Sequence, residues 1–176
     1  MKTSVCAHVV TAAVALFTAM GGVVSAASPE PPVTWRVVGV SDGDTLTALD
    51  EDNQKHKVRL HGIDAPEIGQ PFGTKSREAL GALTVRKTAT LHLHGRDRYG
   101  RDLARVEVDG VDVNVELVKD GLAWHYVRYD KSPELAKAER EAREAKRGVW
   151  GDKEQMPPWE WRATERDRKR QPAAQK

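Results

Sequence analysis

Cysteine is all but absent from this chain: Cys6 is the single one among 176 residues. It lies ahead of the one long apolar run, so it is not placed as a lipoprotein cysteine, which follows such a run. Strong net charge is absent too, with 28 Lys and Arg against 26 Asp and Glu. Beyond residue 24 there is no long apolar run, and there is no internal repeat. The run that does exist, Val9 to Val24, is 16 residues long and rich in Ala and Gly. That is short for a membrane span. Lys2 precedes it and Ser25, Ala26 and Ala27 follow it, the pattern of a secretory signal cleaved after Ala26 or Ala27. Export to the periplasm or the medium is therefore expected.

Removing 27 of the 176 residues leaves 149, enough for one hydrophobic core, and takes away Cys6. A disulfide framework is then excluded although the compartment would permit one, and stability must come from packing. Loss of Lys2 takes the net charge from +2 to +1. The near-neutral total hides two basic clusters, Arg96, Arg98, Arg101 and Arg105, and then Arg162, Arg166, Arg168, Lys169 and Arg170. Local patches of this kind attract polyanions where net charge does not, although most such clusters are solvated faces.

What is present is a β pattern followed by helices. Trp35 to Val40 and Thr45 to Leu49 read as strands separated by Asp42-Gly43. Lys57 to Ile63 alternates, with Val58 and Leu60 on one face and Arg59 and His61 on the other. Thr74 to Lys87 has helical spacing, with Thr74 available as N-cap. Thr88 to His94 and Leu103 to Val108 are two further strands, flanking a polar turn at Arg96 to Arg101. Val113 to Lys119 reads as a second helix. A third has Ser132 as N-cap, Pro133 at its first position, an apolar face of Leu135, Ala138, Ala142 and Ala145, and Gly148 as its stop. After Trp150 the chain turns to prolines, Trp159, Trp161 and a basic tail whose last ten or so residues read as disordered. The expected fold is α+β, a five-stranded OB-type barrel with three helices, spanning residues 33–151 between the leader and a tail of 152–176.

Three short segments carry chemistry. Asp42-Gly43-Asp44-Thr45 places two carboxylates about a tight bend, which suits a hard cation but is also a common turn. Arg59-Leu-His-Gly-Ile-Asp64-Ala65-Pro66-Glu67 brings two acids together at i and i+3, a repulsion that a cation or an arginine would offset. Asp97-Arg98-Tyr99-Gly100-Arg101 pairs cations with an aromatic ring on a glycine turn, which suits a phosphate with a neighbouring base or sugar. Each has an ordinary structural reading when taken alone.

Together, DGDT, RLHGIDAPE, DRYGR and GLAW in this order are similar to staphylococcal nuclease-like domains, over roughly Trp35 to Trp150. The resemblance implies a Ca²⁺-dependent nuclease, binding one ion, that cleaves DNA and RNA to 3′-phosphate and 5′-hydroxyl ends. It implies Asp44 and Asp64 as carboxylate ligands, Ala65 as a main-chain ligand and Asp42 as a supporting acid. Glu67 matches the residue that activates water, and Arg59 and Arg101 match the two arginines on the scissile phosphate. Arg98, Tyr99 and Tyr126 match substrate-binding positions, Tyr126 through an alignment that needs a shift around Trp124 to Tyr129. Ala65 stands where the family often has threonine, and the Ile68 to Gly73 loop is shorter than in the staphylococcal type. A monomer is expected.

Two rival readings meet obstacles in the residues. A binding-only barrel would be expected to lack some of Asp44, Arg59, Asp64, Glu67 and Arg101, and all five are here. A zinc site on His92 and His94 has no third ligand nearby and no cysteine; these histidines, with His56, His61 and His125, read as surface or packing residues.

Overall fold

The computed structural model describes residues 31–170. The signal segment expected at 1–27 and the last six residues of the tail lie outside the described residues.

Five strands form a closed barrel: β1 (Val33–Val40), β2 (Thr45–Leu49), β3 (Lys55–Leu60), β5 (Thr88–Arg96) and β6 (Asp102–Val108). Neighbours run β3-β2-β1-β5-β6, and parallel pairing of β3 with β6, Arg59 opposite Leu103, joins the two ends. Alternation along each strand sends Val37, Leu46, Ala48, Val58, Leu60, Ala89, Leu91, Ala104 and Val106 into one core, each no more than 1% exposed. A register shift between Val37 and Gly39 bends β1, the strong local curvature a small barrel requires.

Three short strands complete the β structure: β4 (Ile63–Asp64), β7 (Val111–Asp112) and β8 (Trp124–His125), with β4 and β8 paired antiparallel. The strand expected to run unbroken to Ile63 stops at Leu60. His61 and Gly62 turn the chain, with Gly62 at φ +77° and its α-carbon against the Asp130 side chain. Only glycine suits that left-handed, crowded position.

Helix α1 spans Gly73–Thr84, starting one residue before the expected cap at Thr74 and ending before Lys87. Phe72, in a left-handed conformation, is its N-cap without a side-chain hydrogen bond. Gly73 packs against the Glu67 carbonyl so closely that no side chain fits there. Helix α2 spans Val113–Lys119, with the Asp112 side chain accepting from the Val115 N–H. Helix α3 spans Pro133–Glu144 and buries Leu135, Ala138 and Ala142; Ala145 falls past its end and is exposed, contrary to the expected apolar face.

The helix count differs from expectation. A short 3₁₀ turn at Gly148–Gly151 is followed by a fourth helix, α4 (Pro158–Arg170), where an irregular tail had been expected. Its Trp159 packs on a second apolar cluster of Trp124, Ala142, Val149 and Trp150, with Phe72 beside it. Among the described residues no helix is long and apolar enough to cross a membrane.

Candidate active site

The three sequence segments meet where β2 begins, where β3 gives way to β4, and where β5 turns into β6. At the first, Asp42 Oδ1 accepts from the Asp44 N–H at 3.1 Å, which turns the chain at Gly43. A β-carbon at Gly43 would stand 2.6 Å from Ser76 Cβ and 2.7 Å from Ala65 Cβ. The glycine thus allows the Asp44 turn to lie directly against Ala65. Asp44 Oδ2 in turn accepts from the Ala65 N–H at 2.8 Å, and Oδ1 accepts from the Thr45 hydroxyl at 3.1 Å.

The second segment supplies the centre. Arg59 Nη2 donates to Asp64 Oδ1 at 2.7 Å, and its Nη1 lies 2.5 Å from Asp44 Oδ2. That Nη1 is buried, and its ion pair with Asp44 is the one polar contact it makes among the described residues. Asp64 is fully buried and Glu67 is 37% exposed at its side chain. Glu67 is braced by a residue the sequence reading passed over: Gln70 Oε1 accepts from the Glu67 N–H at 3.1 Å, while the Gln70 N–H donates to the Glu67 carbonyl at 2.9 Å. Gln70 is buried, and its Nε2 reaches the Met156 carbonyl at 2.6 Å. The short Ile68 to Gly73 loop is therefore tied both to Glu67 and to the segment leading into α4.

At the third segment, Asp97 organises the turn, accepting from the N–H groups of Tyr99 and Arg101 and from Arg101 Nε at 2.7 Å. Arg101 Nη1 makes a long contact of 3.5 Å to the Thr45 hydroxyl, so Thr45 stands between Arg101 and Asp44. Arg98 and Tyr99 point outward on the same turn, with Arg98 Nη2 donating to the Tyr99 hydroxyl at 2.6 Å and Tyr99 69% exposed. Tyr126 lies beyond β8, its N–H on the Gly62 carbonyl, and its ring is covered by Trp159, stacked at 5.2 Å and 7°.

The residue with most contacts to the candidate acids was not expected there. Arg162, on α4, donates from Nη2 to Asp64 Oδ2 at 2.7 Å and from Nη1 to Asp64 Oδ1 at 3.2 Å and Glu67 Oε1 at 2.6 Å. Nothing in the sequence marks it beyond membership of the second basic cluster. The result is an alternating chain, Asp44–Arg59–Asp64–Arg162–Glu67, of three carboxylates bridged by two guanidiniums.

Burial pushes the Asp44 carboxyl up to about 7, with Asp42 and Asp64 adding repulsion, against the lowering effect of Arg59 and the Ala65 N–H. For Arg162, partial burial opposes the charge, but hydrogen bonds to Asp64 and Glu67 outweigh it and raise its pKa. Buried, mutually repelling hard oxygens of this kind fit a hard divalent cation. Among the described residues no three His, Cys, Asp or Glu side chains close on one point as a preformed cage; the two arginines bridge the acids instead. His92 is exposed, His94 stacks on His61 at 4.3 Å, His56 lies between Asp50 and Asp102, and His125 Nε2 is 3.0 Å from the Asp130 carbonyl.

A family model described as staphylococcal nuclease homologue matches residues 57–152, a range that holds Arg59, Asp64, Glu67 and Arg101 and starts after the Asp42 to Thr45 turn. An uncharacterized endonuclease of Haemophilus influenzae is 44% identical over 144 residues, 82% of this chain and 80% of that protein. One from Escherichia coli is 44% identical over 128 residues, 72% of this chain and 83% of that protein. A probable staphylococcal-like nuclease of Oryza sativa subsp. japonica, CAN1, is 41% identical over 114 residues, 65% of this chain but only 34% of that longer protein.

Proposed function

Because the chain belongs to the staphylococcal nuclease homologues, we propose that it is an exported nuclease that hydrolyses phosphodiester bonds of DNA and RNA with one Ca²⁺, leaving 3′-phosphate and 5′-hydroxyl ends. The observation that carries the reading is Arg59. Its guanidinium is buried between two candidate metal ligands and pairs with both, Asp64 through Nη2 and Asp44 through Nη1, which fixes a positive charge at the acids. A preorganised cation at such a place is worth far more to a developing negative charge than one in open water.

Asp44 and Asp64, with the main chain at Ala65, would hold the cation, and Asp42 supports them by fixing the Asp44 turn. When bound, Ca²⁺ neutralises phosphate charge at the site. Arg59 would donate to a non-bridging phosphate oxygen, and Arg101 would supply a second donor to the charge that builds as water adds. Glu67 sits beside Asp64, held by Gln70 at its main chain, and accepts the proton of the attacking water. Water oxygen bonds to phosphorus, the bond to the 5′ oxygen breaks, and that oxygen takes up a proton. Arg98 and Tyr99 on the exposed turn, and Tyr126 across the site, contact the neighbouring nucleotides.

The test is digestion of matched DNA and RNA with CaCl₂ or with EGTA, followed by direct kinase labelling of product ends. Cleavage in Ca²⁺ alone, giving 5′ ends that label without phosphatase treatment, is the expected result. Cutting that persists in EGTA would remove Ca²⁺ from the reading. DNA retarded in a gel but never cut would leave a binding barrel instead.

A further inference from the structure

Arg162 is 98 residues from Asp64 in the chain and 95 from Glu67, yet it binds both oxygens of the one and an oxygen of the other. Asp64 Oδ1 also accepts from Arg59 at 2.7 Å. A carboxylate has about four lone-pair positions, and three of those on Asp64 are therefore engaged, two of them by Arg162. A cation that takes Asp64 as a ligand competes directly with this guanidinium.

The element that carries Arg162 is held lightly. Helix α4 buries only Pro158. Its other attachments to the domain include the stack of Trp159 on Tyr126, the packing of Trp159 on the second apolar cluster, and half-buried Trp161 beside Gln70, Phe72 and Trp124. The segment before it is tethered at Met156 by Gln70, the residue that also braces Glu67. Its other ion pair, Arg168 with Glu165, lies within the helix. Elements with little buried apolar surface open at low free-energy cost. The strongest contact of α4 is thus with the site, and the same helix covers Tyr126.

We propose that Arg162 is a built-in counter-ion that occupies the Asp64–Glu67 pair in the cation-free protein, and that α4 is a latch that Ca²⁺ displaces on binding. The charge balance favours the exchange. A divalent ion in place of Arg162 brings one more positive charge to the same acids. Displacement also lifts Trp159 from Tyr126, so cation entry uncovers a surface assigned to substrate. The latch rests on the assignment of Asp64 to the cation under the proposed function.

The test is Ca²⁺ binding by calorimetry, with CaCl₂ as titrant, on the full chain, on Arg162→Gln and on Trp159→Ala. The second variant leaves every charge in place and loosens only the docking of α4, so it serves even if Arg162→Gln is poorly folded. Tighter Ca²⁺ binding by about tenfold in each variant is expected, together with a Ca²⁺-dependent change in tryptophan emission in the parent that is smaller in Trp159→Ala. Unchanged or weaker affinity in folded variants overturns the latch while leaving the nuclease intact if the parent still cuts in Ca²⁺. Unchanged Ca²⁺ affinity with a raised KM for DNA would make Arg162 a substrate residue instead, which also overturns it. Absence of Ca²⁺ binding in all three, with no cleavage, overturns both readings.

Discussion

Arg59 Nη2 lies 2.7 Å from Asp64 Oδ1, although the strand carrying the arginine ends at Leu60 and the chain must turn at Gly62 to bring the aspartate back. That turn converts a five-residue separation into a side-by-side pair. It fixes the plane of the guanidinium against one carboxylate while its other nitrogen faces Asp44. Lysine offers a point charge and cannot reproduce the fork. Arg59→Lys is expected to fold, as judged by circular dichroism, and to cleave DNA roughly 100-fold or more slowly, the cost of losing one preorganised donor. Near-parental turnover in that variant would take Arg59 out of the phosphate contact.

Glu67 is held from behind by Gln70 and from the front by Arg162. Replacement by glutamine keeps the side chain's size and its accepting oxygen, and removes its capacity to take a proton. Glu67→Gln is expected to retain DNA binding in a gel-shift assay and to cut roughly 10²–10⁴-fold more slowly. Undiminished cleavage would mean that another group receives the proton.

The barrel was legible because its information is local. Alternation in Lys57 to Leu60, Thr88 to Leu93 and Leu103 to Val108, with polar turns between, is a short-range pattern that the strand pleat enforces directly. That the acids and Arg59 come together was legible for a related reason: they sit in or beside those turns, and their order along the chain is itself a signature. What escaped depends on distance. The break at Gly62 follows from packing against Asp130, a residue far along the chain. Helix α4 has few apolar residues and a tail-like composition, and the place of Arg162 is decided by partners nearly a hundred residues away.

Gly43 tests how closely the Asp44 turn must approach Ala65. A methyl group there meets Ser76 Cβ and Ala65 Cβ well inside van der Waals contact. These neighbours belong to α1 and to the β4 exit, and neither is the free end of a long side chain. Gly43→Ala is expected to lower stability by about 1–3 kcal/mol, the usual cost of overpacking, measured by urea unfolding. Cleavage should fall more than stability, because the strain displaces Asp44 from Asp64. An unchanged unfolding midpoint would show that the turn gives way without consequence.

His61 and His94 offer a pH test away from the acids. Burial lowers both pKa values from 6.5, and for His61 the neighbouring His94 charge lowers it further. Arg105 faces both rings and Arg59 faces His61; His92 faces His94; Asp130 opposes all of these. Each ring binds a proton less readily in the folded state than in the unfolded chain. Their contribution is therefore present above about pH 6.5 and is lost as pH falls through that value toward the folded pKa values. Asp44, raised to about 7, acts in the opposite sense over the same window, but it is common to parent and variant and cancels in their difference. His94→Gln removes one titrating ring and relieves His61 of its neighbour's charge. Between pH 7.5 and 5.5 the melting temperature of the parent is expected to fall relative to that of the variant, by on the order of 2 °C. Parallel melting curves across that range would mean that the stacked rings titrate as they do in the unfolded chain.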